Sequence, residues 1–506
     1  MKRLFLLTIG FILFISCSND DSNPTNNSNS EIVGSWELYK IVLDDGSEIN
    51  DVTDDYSTYV FNADGTGVYT INGSGANGEV QGTWDYVNSK YRFNGDELNL
   101  INNNTFWKES AINGETDYYR RVTDSDTDTT INEWNQSGED IDGLNNFGES
   151  ISLNNDGSIV AIGSRFGGVV QVFKKNGNSW TQLGNDIITN YGDENFGWSV
   201  SLNDDGYTLA IGAHKRSSID GSGMTKVYEY NSNDWIQKGG NITQSYCFSC
   251  GSTASISADG NTVVIGLVKP TGSLYAQVYN YINNDWSQIG STVTENSSGL
   301  DYEKSVKISG DGTKIALAIP SYGGGIGTVV VYYNNNNQWE QLGQKFYGTQ
   351  YAKYLGGDVS LNYDGSVIAI GIPGGVGATT TQNIPGYVKI YENFGGNWSQ
   401  IGATISGEAN QDRFGVALDL NENGDYIVIG ATGNDGNGNF SGHSRIFKKI
   451  SNDWIQIGSD IDGESSGDSS GCSVSISSNG KTIGIGGKGN DQNGNDGHVR
   501  VYEFND

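Results

Sequence analysis

Chemistry in this chain has to come from a small set of side chains. Three histidines, His214, His443 and His498, serve 506 residues, and no Ser, Cys or Asp stands in the setting of an activated nucleophile. His443 and His498 follow Gly442 and Gly497 at one shared position of an internal repeat, which reads as repeat grammar. Cys247-Phe248-Ser249-Cys250 has the C-x-x-C spacing of redox and zinc motifs. No second pair and no nearby His completes a metal set, so these two read as a local loop disulfide or as unpaired thiols. Four cysteines in all, Cys17 and Cys472 included, make no disulfide framework, and neither a cofactor nor a metal is expected. Carboxylates are the abundant reactive group, and a ring-shaped fold can bring two of them together across its axis to act on a glycan.

Those carboxylates also bound the partners. With 29 Lys and Arg against 60 Asp and Glu the formal net charge is -31, spread along the chain without a long single-sign block. Such a field repels nucleic acid, which is excluded as a partner, and it suits a solvated extracellular surface.

The elements that must position any site come from a repeat. The phrase W-x-Q-x-G occurs seven times, beginning at Trp134, Trp180, Trp235, Trp286, Trp339, Trp398 and Trp454, at intervals of 46, 55, 51, 53, 59 and 56 residues. Each unit holds four strand-like pieces and one Asx-Gly hairpin dipeptide, from Asp156-Gly157 to Asn479-Gly480. A period of about fifty residues with four strands is the size of a propeller blade. Six residues beyond each turn glycine stands another glycine, Ala318 in the fourth unit excepted, which fits close strand approach near a propeller axis. The region opens with a lone Trp134 strand and ends after Val499 to Phe504 with no eighth Trp, so the first strand should complete the last blade and hide its open edge. The expectation is an all-β, seven-bladed β-propeller over 134–506, closed by its terminal strands, with the tryptophans packed between neighbouring blades.

Ahead of that ring, Lys2 and Arg3 precede an apolar run from Leu4 to Ile15 that is too short to span a bilayer and reads as a signal peptide, residues 1–17. Residues 18–30 contain little apolar surface and read as a flexible tether; 122–133 has the same character and reads as a linker. Between them, 31–121 reads as eight short strands divided by turns such as Asn72-Gly73 and Asn94-Gly95, which suggests a small closed barrel.

Several segments resemble known families. Ile15-Ser16-Cys17 resembles the lipobox of bacterial lipoproteins, although Phe14 stands where Leu is usual; the resemblance implies lipidation at Cys17 and a membrane partner through that lipid. Ser18 with Asp20 and Asp21 looks like the export tag of Bacteroidetes lipoproteins, which implies an outer-membrane lipoprotein exposed at the cell surface. Gly34-Ser35-Trp36 with Arg120 and Arg121 resembles the lipocalin pattern, and implies an eight-stranded lipocalin-like barrel whose closing Arg packs on the indole. Phe147-Gly148, Phe196-Gly197 and Phe414-Gly415, with the strands and turns that follow, resemble the FG-GAP repeats of integrin-type propellers. The Asx-Gly turns lack that family's D-x-D-x-D-G, so its calcium sites are not carried over. The loops from Asp435 to Asn439 and from Asp491 to Asp496 alternate oxygen ligands, but the same residue types are ordinary turn formers.

In a propeller the loops leading into each blade and those joining its second and third strands emerge on one face. From each Trp to the following Phe-Gly position the count runs only from 13 to 16 residues, so length varies mainly in the second-to-third loops, where binding specificity usually resides. The candidate ligand surface is therefore Arg165, Phe166, His214, Lys215, Arg216, Lys269, Tyr322 and Phe440. The expected function is a non-enzymatic envelope module that binds a glycan or a protein. Two alternatives stay open: a propeller-type glycan-active enzyme, and a structural envelope lipoprotein without a specific ligand.

Overall fold

The computed structural model describes residues 133–189, 195–214, 223–243, 253–268, 274–295, 305–320, 326–349, 354–374, 384–450, 453–489 and 496–504, together with the backbone of nine strands between Gly34 and Val122. Cys17, the tether and most of the linker lie outside the described residues. The chain divides into two compact units, Met1–Ile131 and Asn132–Asp506. In the first, nine antiparallel strands form one sheet, and its first long strand, Gly34–Val42, pairs both with Tyr56–Phe61 and with the last strand, Thr116–Val122. That pairing closes the sheet and sets Trp36 opposite Arg121 in register. The strand beyond the expected eight is the two-residue Glu48–Ile49, which folds back on Gly34–Val42.

The second unit is a β-propeller of seven antiparallel sheets. Numbered from the first complete sheet, blades 1 to 7 have the innermost strands Ser150–Leu153, Phe196–Leu202, Thr253–Ile256, Ser305–Ile308, Val359–Leu361, Ala417–Leu420 and Ser473–Ile476. Each packs on the next, and the last packs on the first, which closes the ring. Blade 7 is built from Ser473–Ile476, Thr482–Gly487 and Gly497–Phe504, and its outer strand is Trp134–Gln136 from the other end of the chain, with Trp134 opposite Phe504. The terminal closure expected from the sequence is thus present. In six blades the outer strand breaks after the W-x-Q and the chain pairs again with the third strand, as at Ile141–Gly143; in blade 3 the outer strand Asp285–Glu295 is unbroken.

Local chemistry explains why these residues make blades. Second strands such as Ile159–Ser164 and Val367–Ile372 are buried along their whole length because neighbouring sheets cover both faces; in blades 4 and 6 only the first residue, Lys314 or Tyr426, is partly exposed. The hairpin turns hold four residues, 155–158 in blade 1, where the Asn154 N–H donates to the Ile159 carbonyl and the Gly157 N–H to the Asn154 carbonyl; only the glycine has positive φ, 73° at Gly157 and 74° at Gly206. The glycine near the axis, Gly163, Gly371, Gly430 or Gly486, faces a backbone carbonyl of the next blade so closely that a Cβ would overlap it.

Every fixed residue of W-x-Q-x-G has a task. Each indole Nε1 donates to the carbonyl three residues after the tryptophan of the preceding blade: Trp180 to Ser137 at 2.7 Å, Trp235 to Leu183 at 2.8 Å, Trp286 to Lys238 at 2.7 Å, Trp339 to Ile289 at 3.2 Å, Trp398 to Leu342 at 2.9 Å, Trp454 to Ile401 at 3.2 Å, and Trp134 to Ile457 at 3.0 Å. The glycine that follows has φ between 69° and 86° in all seven phrases. At Gly239 and Gly343 a Cβ would lie 2.8 Å from the incoming indole. In five phrases the Gln amide donates to that glycine's carbonyl, at 3.0 Å in Gln237 and 2.7 Å in Gln341, while Gln136 and Gln182 donate to Asp140 and Asp186.

Trp398, 4% exposed, tests this account. Trp398→Ala should lower unfolding free energy by about 3–5 kcal/mol, and Trp398→Phe by about 1–3 kcal/mol, because the Leu342 carbonyl loses its donor. Denaturant unfolding measures both, and an Ala variant within about 1 kcal/mol of the parent would refute the role given to the indole.

Candidate functional site

Parallel bridges Gly327–Leu355, Gly386–Phe414 and Gly442–Ser470 tie the end of one blade's second-to-third loop to the segment leading into the next blade. Both loop sets therefore lie on one face. On that face, Arg165 and Phe166 follow the second strand of blade 1, and His214 follows the second strand of blade 2, Thr208–Ala213. Lys215, Arg216, Lys269 and Tyr322 lie outside the described residues, as do Cys247 and Cys250. Phe440 is 46% exposed on blade 6, two blades round the ring, with its N–H donated to Asp435 Oδ1 at 2.8 Å. In the same loop Asn434 Oδ1 accepts from the Gly436 N–H and Asn437 Nδ2 donates to the Gly463 carbonyl, so these polar groups hold the turn.

Three of the expected residues come together around one that sequence reasoning missed, Trp198. The Arg165 guanidinium lies 4.4 Å from the Trp198 ring centroid and 4.6 Å from that of Phe166. Its Nε is 2.6 Å from Glu149 Oε2, and Lys488 Nζ of blade 7 is 3.8 Å from the other oxygen of that carboxylate. Burial pushes the Glu149 carboxyl up, while Lys488 and Arg165 draw it back in part. Phe166 is 62% exposed; Leu144, whose carbonyl accepts from Ser164 Oγ, is 66% exposed. His214 departs from the surface role expected of it: it is 1% exposed, and its ring packs against Trp198, 4.7 Å between centroids with the planes tilted by 58°. A signal for Trp198 was available, since it is the one Trp of 134–506 outside the repeated phrase. Glu149 occupies the corresponding place after Phe147-Gly148.

A second group lies on the axis. Alternation along the innermost strands points one residue per blade at the next blade, where it accepts from a backbone N–H. Ser152 accepts from Leu202, Ser201 from Ile256, Ser255 from Ile308, Ser360 from Leu420, Asp419 from Ile476 and Ser475 from Leu153. Blade 4 places Lys307 there, which has no acceptor to offer. Its ammonium acts instead on two deep carboxylates, Asp358 and Asp419, both pushed up from the usual carboxylate range, chiefly by burial. The paired acids that a ring fold allows are thus present. Asp358 accepts from the N–H groups of Val359 and Leu418 and from Ser305, and Asp419 from Ser360, Ser475 and Ile476, so both tie strands together. Cys472, half-buried at the seam of blades 7 and 1, has its thiol pushed up by burial, which makes it a poor nucleophile.

No known protein family matches the chain, and no curated protein does. Among solved structures it is similar to hydrazine synthase of Kuenenia stuttgartiensis (15% identity, TM-score 0.47, covering 68% of this chain and 92% of that one). It is similar also to the β-propeller domain of Myceliophteria thermophila Cps50 (Swd1), at 8% identity and TM-score 0.47 over 74% and 99% of the two chains. The periplasmic gluconolactonase PpgL of Pseudomonas aeruginosa gives 17%, 0.46, 66% and 87%. Likeness at such identities concerns architecture, and none of those proteins' activities passes to this chain by it.

The axial acids set a pH dependence. A carboxyl whose folded pKa is raised contributes stability that is fully present below its unfolded pKa and is lost as pH rises through the folded value. Asp419→Asn should therefore raise Tm, relative to the parent, more at pH 7 than at pH 4; an offset that does not change with pH would show that the ionised carboxylate costs the fold nothing.

Proposed function

We propose that this chain is a surface lipoprotein, anchored through lipid on Cys17, whose propeller presents its loop face as a non-enzymatic module that binds a neutral glycan. In this reading residues 31–121 form a lipocalin-like barrel and the blades are FG-GAP-like repeats. The observation that supports it is the Phe166, Arg165 and Trp198 stack, an exposed aromatic and a cation held in place by Glu149. An aromatic face takes the C–H side of a sugar ring, and an oriented guanidinium–carboxylate pair takes its hydroxyls. The net charge of -31 disfavours an anionic polymer. A second reading, a glycan-active enzyme, draws on Asp358, Asp419 and Lys307 in the axis, although the hydrogen bonds of both acids favour a structural task.

On an array of neutral polysaccharides, Phe166→Ala and Arg165→Ala should each weaken binding about tenfold or more, equivalent to about 1.4 kcal/mol. Equal binding by parent and variants would remove the platform from the function. Release of reducing ends that Asp419→Asn abolishes would replace binding by catalysis. In detergent phase separation the parent should enter the detergent phase and Cys17→Ala should not; a parent that stays aqueous would defeat the lipid anchor.

A further inference from the structure

Two buried histidines take no part in the loop-face platform. His443 opens the third strand of blade 6, His443–Ile450, and His498 is the second residue of the third strand of blade 7, Gly497–Phe504. Both are 0% exposed, and neither ring nitrogen of either has a hydrogen-bond partner. Leaving two buried imidazole nitrogens unsatisfied is costly, and the cost asks for a ligand.

Each histidine faces a group of carboxylates. His443 Nδ1 lies 3.5 Å from Asp460 Oδ2 and 3.9 Å from Glu408 Oε2, with Asp462 Oδ1 also at 3.9 Å. In the group of His443, Asp460 and Glu408 the donor atoms lie within 4.8 Å of one another, and the same holds for His498, Asp140 and Glu464. The two groups are built alike. Asp460 and Asp140 stand six residues after the tryptophan of their own blade, and Glu408 and Glu464 ten residues after the tryptophan of the preceding one. Each Glu opens a Gly-Glu-x-x-x-Asp turn whose buried Asp, Asp412 or Asp468, accepts the Glu N–H at 3.2 or 2.7 Å. Gln456 and Gln136 donate to Oδ1 of Asp460 and Asp140 at 2.6 Å, and Arg445 lies 3.4 Å from Asp460 Oδ1. In blade 7 Arg500 is 4.0 Å from Glu464 Oε1. The acids are thus oriented from behind, as the outer partners of metal ligands are.

The histidines are also not repeat grammar, as the sequence had suggested. The equivalent position carries Val169, Met224, Tyr275, Thr328 and Tyr387 in blades 1 to 5, and His, Asp and Glu coincide only in two adjacent blades. Within each group two carboxylates confront one another: burial and the neighbouring Asp push Glu408 and Glu464 up. Burial pushes both imidazoles down, toward the neutral form that ligates metals. A cation between the three groups relieves this conflict.

We infer that blades 6 and 7 each carry a divalent transition-metal site, one formed by His443, Asp460 and Glu408 and the other by His498, Asp140 and Glu464, with zinc as the fitting ion. An imidazole nitrogen in the set speaks against calcium, which takes oxygen ligands. The 3.5 Å separation of His443 and Asp460 is close to the roughly 3.4 Å between two ligands held at about 2.1 Å in tetrahedral geometry. Glu408 and Glu464 are 46% and 45% exposed in their side chains and Asp460 is half-buried, so each site opens to solvent on its carboxylate side, where a fourth position is left for water. In blade 7 the metal would join Asp140 of the first propeller strand pair to His498 near the C-terminus, and so clasp the ring closure.

The test uses the full chain, stripped with a chelator and dialysed against zinc sulfate. Two zinc ions per chain are expected, with a rise in Tm that calcium chloride does not reproduce. The pair Glu408→Gln and Asp460→Asn should retain one zinc, as should Glu464→Gln with Asp140→Asn; these polar variants keep the histidines and the shape of each site, and far-UV circular dichroism verifies their fold. Cobalt substitution should give visible d–d bands that fall by half in each pair variant. Retention of no zinc, unchanged stoichiometry in both pair variants, or displacement of zinc by equimolar calcium would each overturn the inference.

Discussion

The ring depends on one hydrogen bond made seven times, from an indole N–H of one blade to a backbone carbonyl of the blade before it. Each such bond is worth only about 1 kcal/mol net. Its force lies in what it demands. The carbonyl must be turned outward, which requires positive φ at the next residue and hence glycine; in five phrases the Gln amide then donates to that glycine's carbonyl. Donor and acceptor always belong to different blades, so no blade satisfies its own edge. The chain ends enter the same circuit, because Trp134 donates to blade 6 while the carbonyl of Ser137 accepts from blade 1.

An inner circuit runs parallel to the outer one. Six axial side chains accept a backbone N–H from the next blade, and Lys307 breaks the series. Where a hydroxyl gives way to a carboxylate, at Asp419, the bond is kept but a charge is buried, and Lys307 with the neighbouring hydroxyls offsets part of that penalty. Strand edges, indoles and axial polar groups are engaged in closure, and the loop face holds the side chains that remain available to a partner.

Blade number, strand order and closure were legible in the sequence because each rests on a local requirement that recurs: an indole donor, a left-handed glycine, an Asx-Gly turn. The platform was legible in part. Arg165 and Phe166 follow from loop position, and the displaced Trp198 was a usable sign, but the burial of His214 depends on packing against a residue of the preceding strand, which spacing does not reveal. Lys307 and Asp419 sit on two innermost strands and Asp358 just before a third, and nothing local marks them as facing one another. His443 and His498 share a repeat position, although the other five blades carry different residues there. A shared repeat position looks like architecture until the Glu of the leading loop and the Asp beyond the tryptophan are placed beside it.

The seam between blades 7 and 1 joins these themes. Gly148 lies there with its carbonyl accepting from Ser473 Oγ at 2.6 Å, and the adjacent Glu149 takes Arg165 from blade 1 and Lys488 from blade 7. Further along the blades, Lys175 pairs with Glu503 across the same boundary. The side chain that aims the Arg165 platform is therefore fixed by contacts from both ends of the ring. The Arg165 platform and the closure of the ring therefore share one seam, at the blade in which the first strand of the propeller pairs with the last.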